Sequence, residues 1–242
     1  MTTETQEKIA KTAAEAEKPG MLPSWVVATL QTAILSAISN LMAQGLASYK
    51  HSRPFAIDWV PIFQFFVFAC LNTPINFAWQ LFLEDTFPSY PEQPKPKKKE
   101  GEKDVAPAPE PKLSVLHTII KTVMDQTLGA VINTFLFAFY TYSIQQAMAH
   151  RFADPFYAKP EGSLSFLLSG KAVDYSRINW NDILEVVSQK LWPLIFAGWK
   201  LWPAVSIVNF AFVKTVEMRN LVGALAGVGW GVYVSLFAAG ES

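Results

Sequence analysis

The chain has 242 residues, 51% of them hydrophobic and 14% aromatic, and its 20 basic side chains balance its 20 acidic ones to a formal charge of zero. Five apolar stretches of 20 to 25 residues, about 114 residues together, hold a single charged side chain, while the other 39 charges crowd into the remaining 128 residues. A soluble domain of this size needs a polar outer face on nearly every helix, so that class is excluded, and the absence of a basic excess argues against nucleic acid as the main partner.

The chain therefore reads as an all-α, polytopic transmembrane helix bundle of four or five spans, with the lipid bilayer as its first partner. The transmembrane domain is expected over residues 25–240. Residues 1–24 read as a disordered N-terminal tail: Glu4, Glu7, Glu15 and Glu17 alternate with Lys8, Lys11 and Lys18, and large apolar residues are nearly lacking. The tail is acid-rich and Arg-free, unlike a mitochondrial presequence.

The first stretch, Trp25 to Ala47, is long enough at ~1.5 Å per residue to cross a ~30 Å hydrocarbon layer. Its Ala33, Ser36, Asn40, Ala43 and Ala47 recur at helical spacing and should point into the bundle. The second, Trp59 to Leu83, carries Pro61, Asn72 and Pro74, and the mid-span proline predicts a kink. Next, residues 88–112 are rich in Pro, Lys and Glu and read as a disordered loop, whose run Lys95, Lys97, Lys98 and Lys99 suits solvent, anionic headgroups or a protein partner.

The third stretch is expected at Thr127 to Ala149, with Asp125 just ahead of it as an anion at the helix start. The fourth, Leu191 to Val213, contains Lys200, Pro193 and Pro203, so a full crossing or a broken, interfacial segment both fit. The fifth, Leu221 to Gly240, repeats Gly223, Gly227 and Gly231 every four residues, which predicts a face for close helix association and supports a homo-oligomer. The tail and second loop hold 10 Lys and Arg against 7 in the first and third loops, which predicts the N-terminus and the Lys-rich loop together on the cytosolic or equivalent face. Cys70 lies within a stretch and reads as a small buried hydrophobe.

His51, His117 and His150 are scattered over separate connections with no metal-ligand spacing, and no phosphate-cradling or nucleophile-elbow motif is present. The expectation is a protein that is not an enzyme and has no cofactor or metal. Polar residues at membrane depth carry the functional signal instead: Asn40, Gln64, Asn72, Asn76, Asn133, Lys200 and Asn209 either bond between helices or line a pathway. Trp199, Trp202, Ser206 and Asn209 share one helix face. A cation at depth makes Lys200 a candidate pore residue, and Lys200→Met is expected to change ion selectivity.

The run from Trp199 to Ser235 resembles the hallmark region of the Mpv17 / PMP22 family of small organellar membrane proteins. Trp202-Pro203, Asn209-Phe210, Arg219, Trp230, Tyr233 and Ser235 carry the likeness, Lys121 with Asp125-Gln126 resembles the family's K…DQ element, and Pro74 with Trp79 resembles its GP…WY element. Departures stand at Ser39-Asn40, Gln80, Val131, Ser206 and Val213-Lys214-Thr215, which marks a divergent subgroup. The resemblance implies an all-helical protein, usually of four spans, in the peroxisomal membrane or, alternatively, the mitochondrial inner membrane. It implies a pore for small solutes that supports membrane homeostasis, or a structural organiser acting through oligomers in organelle biogenesis or sorting. It also points to Asp125, Gln126, Trp202, Pro203, Asn209, Arg219 and Trp230 as the residues to test.

Overall fold

The computed structural model describes residues 22–91 and 112–238, without the side chains of 233–238. The expected tail and Lys-rich loop fall almost wholly outside those residues. Every regular element described is helical: α1 (Ser24–Lys50), α2 (Trp59–Thr86), α3 (Val115–Met124), a π-helical turn (Asp125–Gly129), α4 (Ala130–Met148), a 3₁₀ turn (Ala149–Ala153), α5 (Pro160–Leu168), a second 3₁₀ turn (Tyr175–Arg177), α6 (Trp180–Gly198), α7 (Trp202–Phe212) and α8 (Val216–Ala238).

Among the described residues, three helices are long and apolar enough to cross a membrane: α1, α2 and the continuous run Val115–Ala153. The pair α6 and α7, bent by 57° at its break, makes a fourth if taken as one span. Helix α8 runs beside α1, its start at Val216 packed on Ala28 and Phe77, and its later turns reaching Ser39. Chain direction alternates between α1, α2 and the third span. The start of α1, the end of α2 and the start of α3 therefore share one end of the bundle, the end from which the Lys-rich loop springs.

Two boundaries differ from the sequence expectation. The third helix begins at Val115, where Ser114 accepts the backbone N–H of His117, so Asp125 is not a helix-start anion but sits inside the span. Lys121, which lies ahead of the expected stretch, falls inside this helix with its side chain fully enclosed. Helix α6 begins at Trp180, where Asn179 caps it, eleven residues before the apolar stretch. Pro203 opens α7, where a missing N–H costs nothing. Helix α2 runs through Pro74 as one element.

Lipid-facing apolar side chains such as Leu30, Ile34 and Ile38 on α1 and Leu71 and Ile75 on α2 are exposed, as a bundle in lipid requires. Lipid tails are as apolar as Leu, so small and polar residues do the joining instead. Ala138 and Ala147 on α4 seat Ile183 and Val187 of α6, and Val60, Ile144, Met148 and Phe166 close the end away from the Lys-rich loop. At that end Arg151 makes a bidentate pair with Asp58 at 3.0 and 2.8 Å, and Gln44 accepts the Asp58 backbone N–H on Oε1 and donates Nε2 to the Asp58 carbonyl, at 2.8 Å each.

Candidate functional site

A cavity of about 490 Å³ runs inside the bundle. Its walls come from α1, α2, the π turn, α4, the α6–α7 break and α8. Along α2 it reaches from Phe65 to Gln80, roughly 22 Å at ~1.5 Å per residue.

Asp125 is the centre of its polar wall. One carboxylate oxygen accepts from the Trp79 indole at 3.1 Å and from Gln80 Nε2 at 3.4 Å. The other accepts from Ser206 Oγ at 2.8 Å and Gln126 Nε2 at 3.1 Å. Three features of the sequence make this seat. The π turn Asp125–Gly129 widens the helix where these donors converge. Gly129 leaves room for Trp79, because a Cβ there would lie 2.8 Å from the indole nitrogen and 3.3 Å from Asp125 Oδ1. The indole of Trp199 donates to the Gln126 carbonyl at 3.0 Å and ties the α6–α7 break to the same turn.

Two asparagine pairs extend the wall: Asn72 donates to Asn133 at 2.9 Å and Asn76 to Asn220 at 3.0 Å. Of the glycine stripe, Gly231 alone makes a tight approach, its missing Cβ standing 2.7 Å from Ser39 Oγ on α1. A Cβ at Gly223 would meet nothing within 4 Å, and one at Gly227 only the far edge of Trp202 at 4.0 Å. The stripe thus leaves a cavity wall bare at two of its three positions, where close helix association was expected.

An ion cluster lies at the Lys-rich-loop end. Glu84 Oε2 accepts from Lys121 Nζ at 2.7 Å and from Arg219 at 2.6 Å. Glu84 Oε1 takes the Ser89 backbone N–H at 2.8 Å. Ser89 Oγ also meets both cations and bonds the Phe210 carbonyl at 3.1 Å. The Phe210 ring lies 4.9 Å from Lys121 Nζ and 5.4 Å from the Arg219 guanidinium carbon. Both cationic side chains are 0% exposed. At the other end Phe65 and Phe68 meet Phe137, with ring centroids 6.3 and 5.4 Å apart.

The fold therefore brings Asp125, Gln126, Trp202, Asn209, Arg219 and Trp230 to one cavity, together with Gly223, Gly227 and Gly231. Pro203 stands at the start of α7, outside the lining residues. Lys200 is exposed in the α6–α7 break and also outside them. Sequence reasoning missed Glu84 and Ser89. A carboxylate at the end of an apolar stretch looks like an interfacial charge, and its partners are 37 and 135 residues away.

Residues 175–235 match the Mpv17 / PMP22 family. PXMP2/4 family protein 3 of Dictyostelium discoideum is 25% identical over 210 residues, 86% of this chain and 81% of that protein. Protein SYM1 of Gibberella zeae is 30% identical over 54 residues, 22% of this chain and 30% of its own. No solved structure matches. The matched region holds α7, Arg219 and the glycine stripe, and the longer alignment takes in most of the remaining spans: the chain is a helical protein with three or four candidate membrane spans that is similar to the Mpv17 / PMP22 family.

Proposed function

We propose that the bundle is a pathway for small solutes across an organellar membrane, the peroxisomal membrane first and the mitochondrial inner membrane as the alternative. The observation that carries this is the cavity of about 490 Å³, walled by polar groups from α1, α2, the third span, α7 and α8. Its volume equals roughly 16 water molecules at ~30 Å³ each, within the usual ~300–1,000 Å³ range of small-molecule sites. Amides and a carboxylate at membrane depth are costly unless they face one another, protein or water, and here they bond one another and neighbouring polar side chains.

The two ends act as closures. The Glu84, Lys121 and Arg219 contacts hold α2, α3 and α8 together at one end, and the Phe65, Phe68 and Phe137 rings fill the other. Passage requires these contacts to part, so conduction comes in discrete openings. The rival reading, an organiser acting through oligomers, relied on the glycine face; within the bundle Gly231 stands against Ser39, and Gly223, Gly227 and Gly231 all line the cavity.

The test is the current through a planar bilayer holding the purified protein, with uncharged polymers of graded size added as blockers. Discrete steps blocked only by the smaller polymers fit a pathway of this bore. A silent bilayer from folded protein would overturn the reading.

A further inference from the structure

We propose that the solute held in this cavity is a neutral polyol, an open-chain molecule with a hydroxyl on every carbon. Four lining amides keep polar atoms open to the cavity, and their hydrogen bonds fix which atoms these are. Gln44 is oriented by the Asp58 backbone, accepting its N–H and donating to its carbonyl, so its remaining hydrogen goes to Asn40 Oδ1 and the Asn40 nitrogen is left open. Asn220 gives its nitrogen to the Val216 carbonyl at 2.9 Å, so its oxygen accepts from Asn76 and the Asn76 oxygen is left open. The Asn72–Asn133 pair leaves one oxygen and one nitrogen open whichever way round the two amides stand. All four of Asn40, Asn72, Asn76 and Asn133 line the cavity. Asn133 is exposed, and the open atoms of the half-buried Asn40, Asn72 and Asn76 are not sealed from solvent.

The mixture of open donors and acceptors then selects the ligand. A cation satisfies only the oxygens and an anion only the nitrogens, whereas a hydroxyl accepts from one and donates to the other. The charged side chains of the wall do not alter this choice. Asp125 accepts four bonds from neutral donors, which fills its lone pairs, and its charge repels an anion. Arg219 turns its guanidinium to the Val213 carbonyl, Glu84 and Ser89. Asn72 and Asn76 stand one turn apart, ~6 Å along α2, so a single short polyol spans both. Asn40 lies farther along, between Ser36, which bonds the Phe65 carbonyl, and Gln44 at Asp58, and offers the next donor toward the aromatic end. Phe65, Phe68 and Trp202 line the same cavity and give the C–H faces of a polyol an apolar wall.

This names the solute class of the proposed pathway and rests on that reading for its physiological use, but the site is tested apart from conduction. Trp79, Trp202 and Trp230 line the cavity, so indole emission reports its occupancy. Tryptophan fluorescence of the detergent-purified full chain is titrated with xylitol, with pentane-1,5-diol, which keeps the carbon chain and only the terminal hydroxyls, and with sodium xylonate at constant ionic strength. A saturable change with xylitol, at least tenfold weaker with the diol and with xylonate, is the expected result. Asn133→Asp keeps the bond from Asn72 and turns the pair's open nitrogen into a charged oxygen, and is expected to weaken xylitol binding at least tenfold. Asn133→Leu, neutral and of similar size, is expected to weaken it severalfold and serves if Asn133→Asp fails to fold. No saturable response to xylitol, the diol or xylonate binding as tightly as xylitol, or affinity unchanged in the folded variants would overturn the site. Binding without bilayer current removes the pathway and keeps the site; current without binding does the reverse.

Discussion

Glu84→Gln is the sharpest test of the ion cluster. Glu84 is the single carboxylate facing two cations whose side chains are fully buried, so its loss leaves Lys121 and Arg219 side by side with no counter-charge. Removing one partner of a buried ion pair costs about 3–5 kcal/mol. At ~2–4 °C per kcal/mol for a chain of this size, that lowers Tm by roughly 10 °C. Lys121→Met makes the contrast. It leaves Glu84 paired with Arg219 at 2.6 Å and turns a cluster of charge +1 into a neutral one, filling most of the same volume, so its cost should stay below about 1.5 kcal/mol. Thermal unfolding in mild detergent, followed by tryptophan fluorescence, gives both values. If Lys121→Met destabilises as much as Glu84→Gln, the cluster is held by packing and the charge argument fails.

Four further outcomes follow from particular contacts. Gly162→Ala would put a Cβ 2.1 Å from the Phe156 carbonyl oxygen, where backbone must move; a loss of about 1–3 kcal/mol is expected in the same unfolding assay. Gly231→Leu should pry α8 from Ser39 and lower Tm, whereas Gly229→Leu, at an exposed position with nothing within 4 Å, should leave it unchanged. Asp58→Asn removes the counter-charge of Arg151, whose side chain is 5% exposed, and should cost about 3 kcal/mol by melting. Lys200→Met, exposed and away from the cavity lining, should leave the reversal potential in a salt gradient unchanged.

The long helices were legible because a charge-free run of more than 20 residues has few other uses. The start of α6 was hidden because Asp182, Glu185 and Lys190 give its first half a polar face, and an apolar count cannot see a helix that runs on past its apolar stretch. Lys200 read as a pore residue because a cation at membrane depth calls for a wet path; the break at residues 199–201 leaves it exposed and outside the cavity lining. The glycines were recognised as a bare face, but a bare face serves a neighbouring helix or a void equally, and the spacing does not choose. Asp125 and Gln126 could be picked out by their motif, while Gln80 and Ser206, which complete the seat, stand where the family pattern has other residues. Glu84 had no local signal, since only tertiary structure brings Lys121 and Arg219 to it.

The most direct measurement of the central claim compares Gly223→Leu with Gly229→Leu in a planar bilayer. Both glycines lie on α8 and neither added Cβ would meet an atom within 4 Å, but Gly223 lines the cavity and Gly229 does not. The solute pathway predicts a lower unitary conductance for Gly223→Leu and an unchanged one for Gly229→Leu. Equal conductance in the two variants would contradict it, because the current would then bypass the cavity.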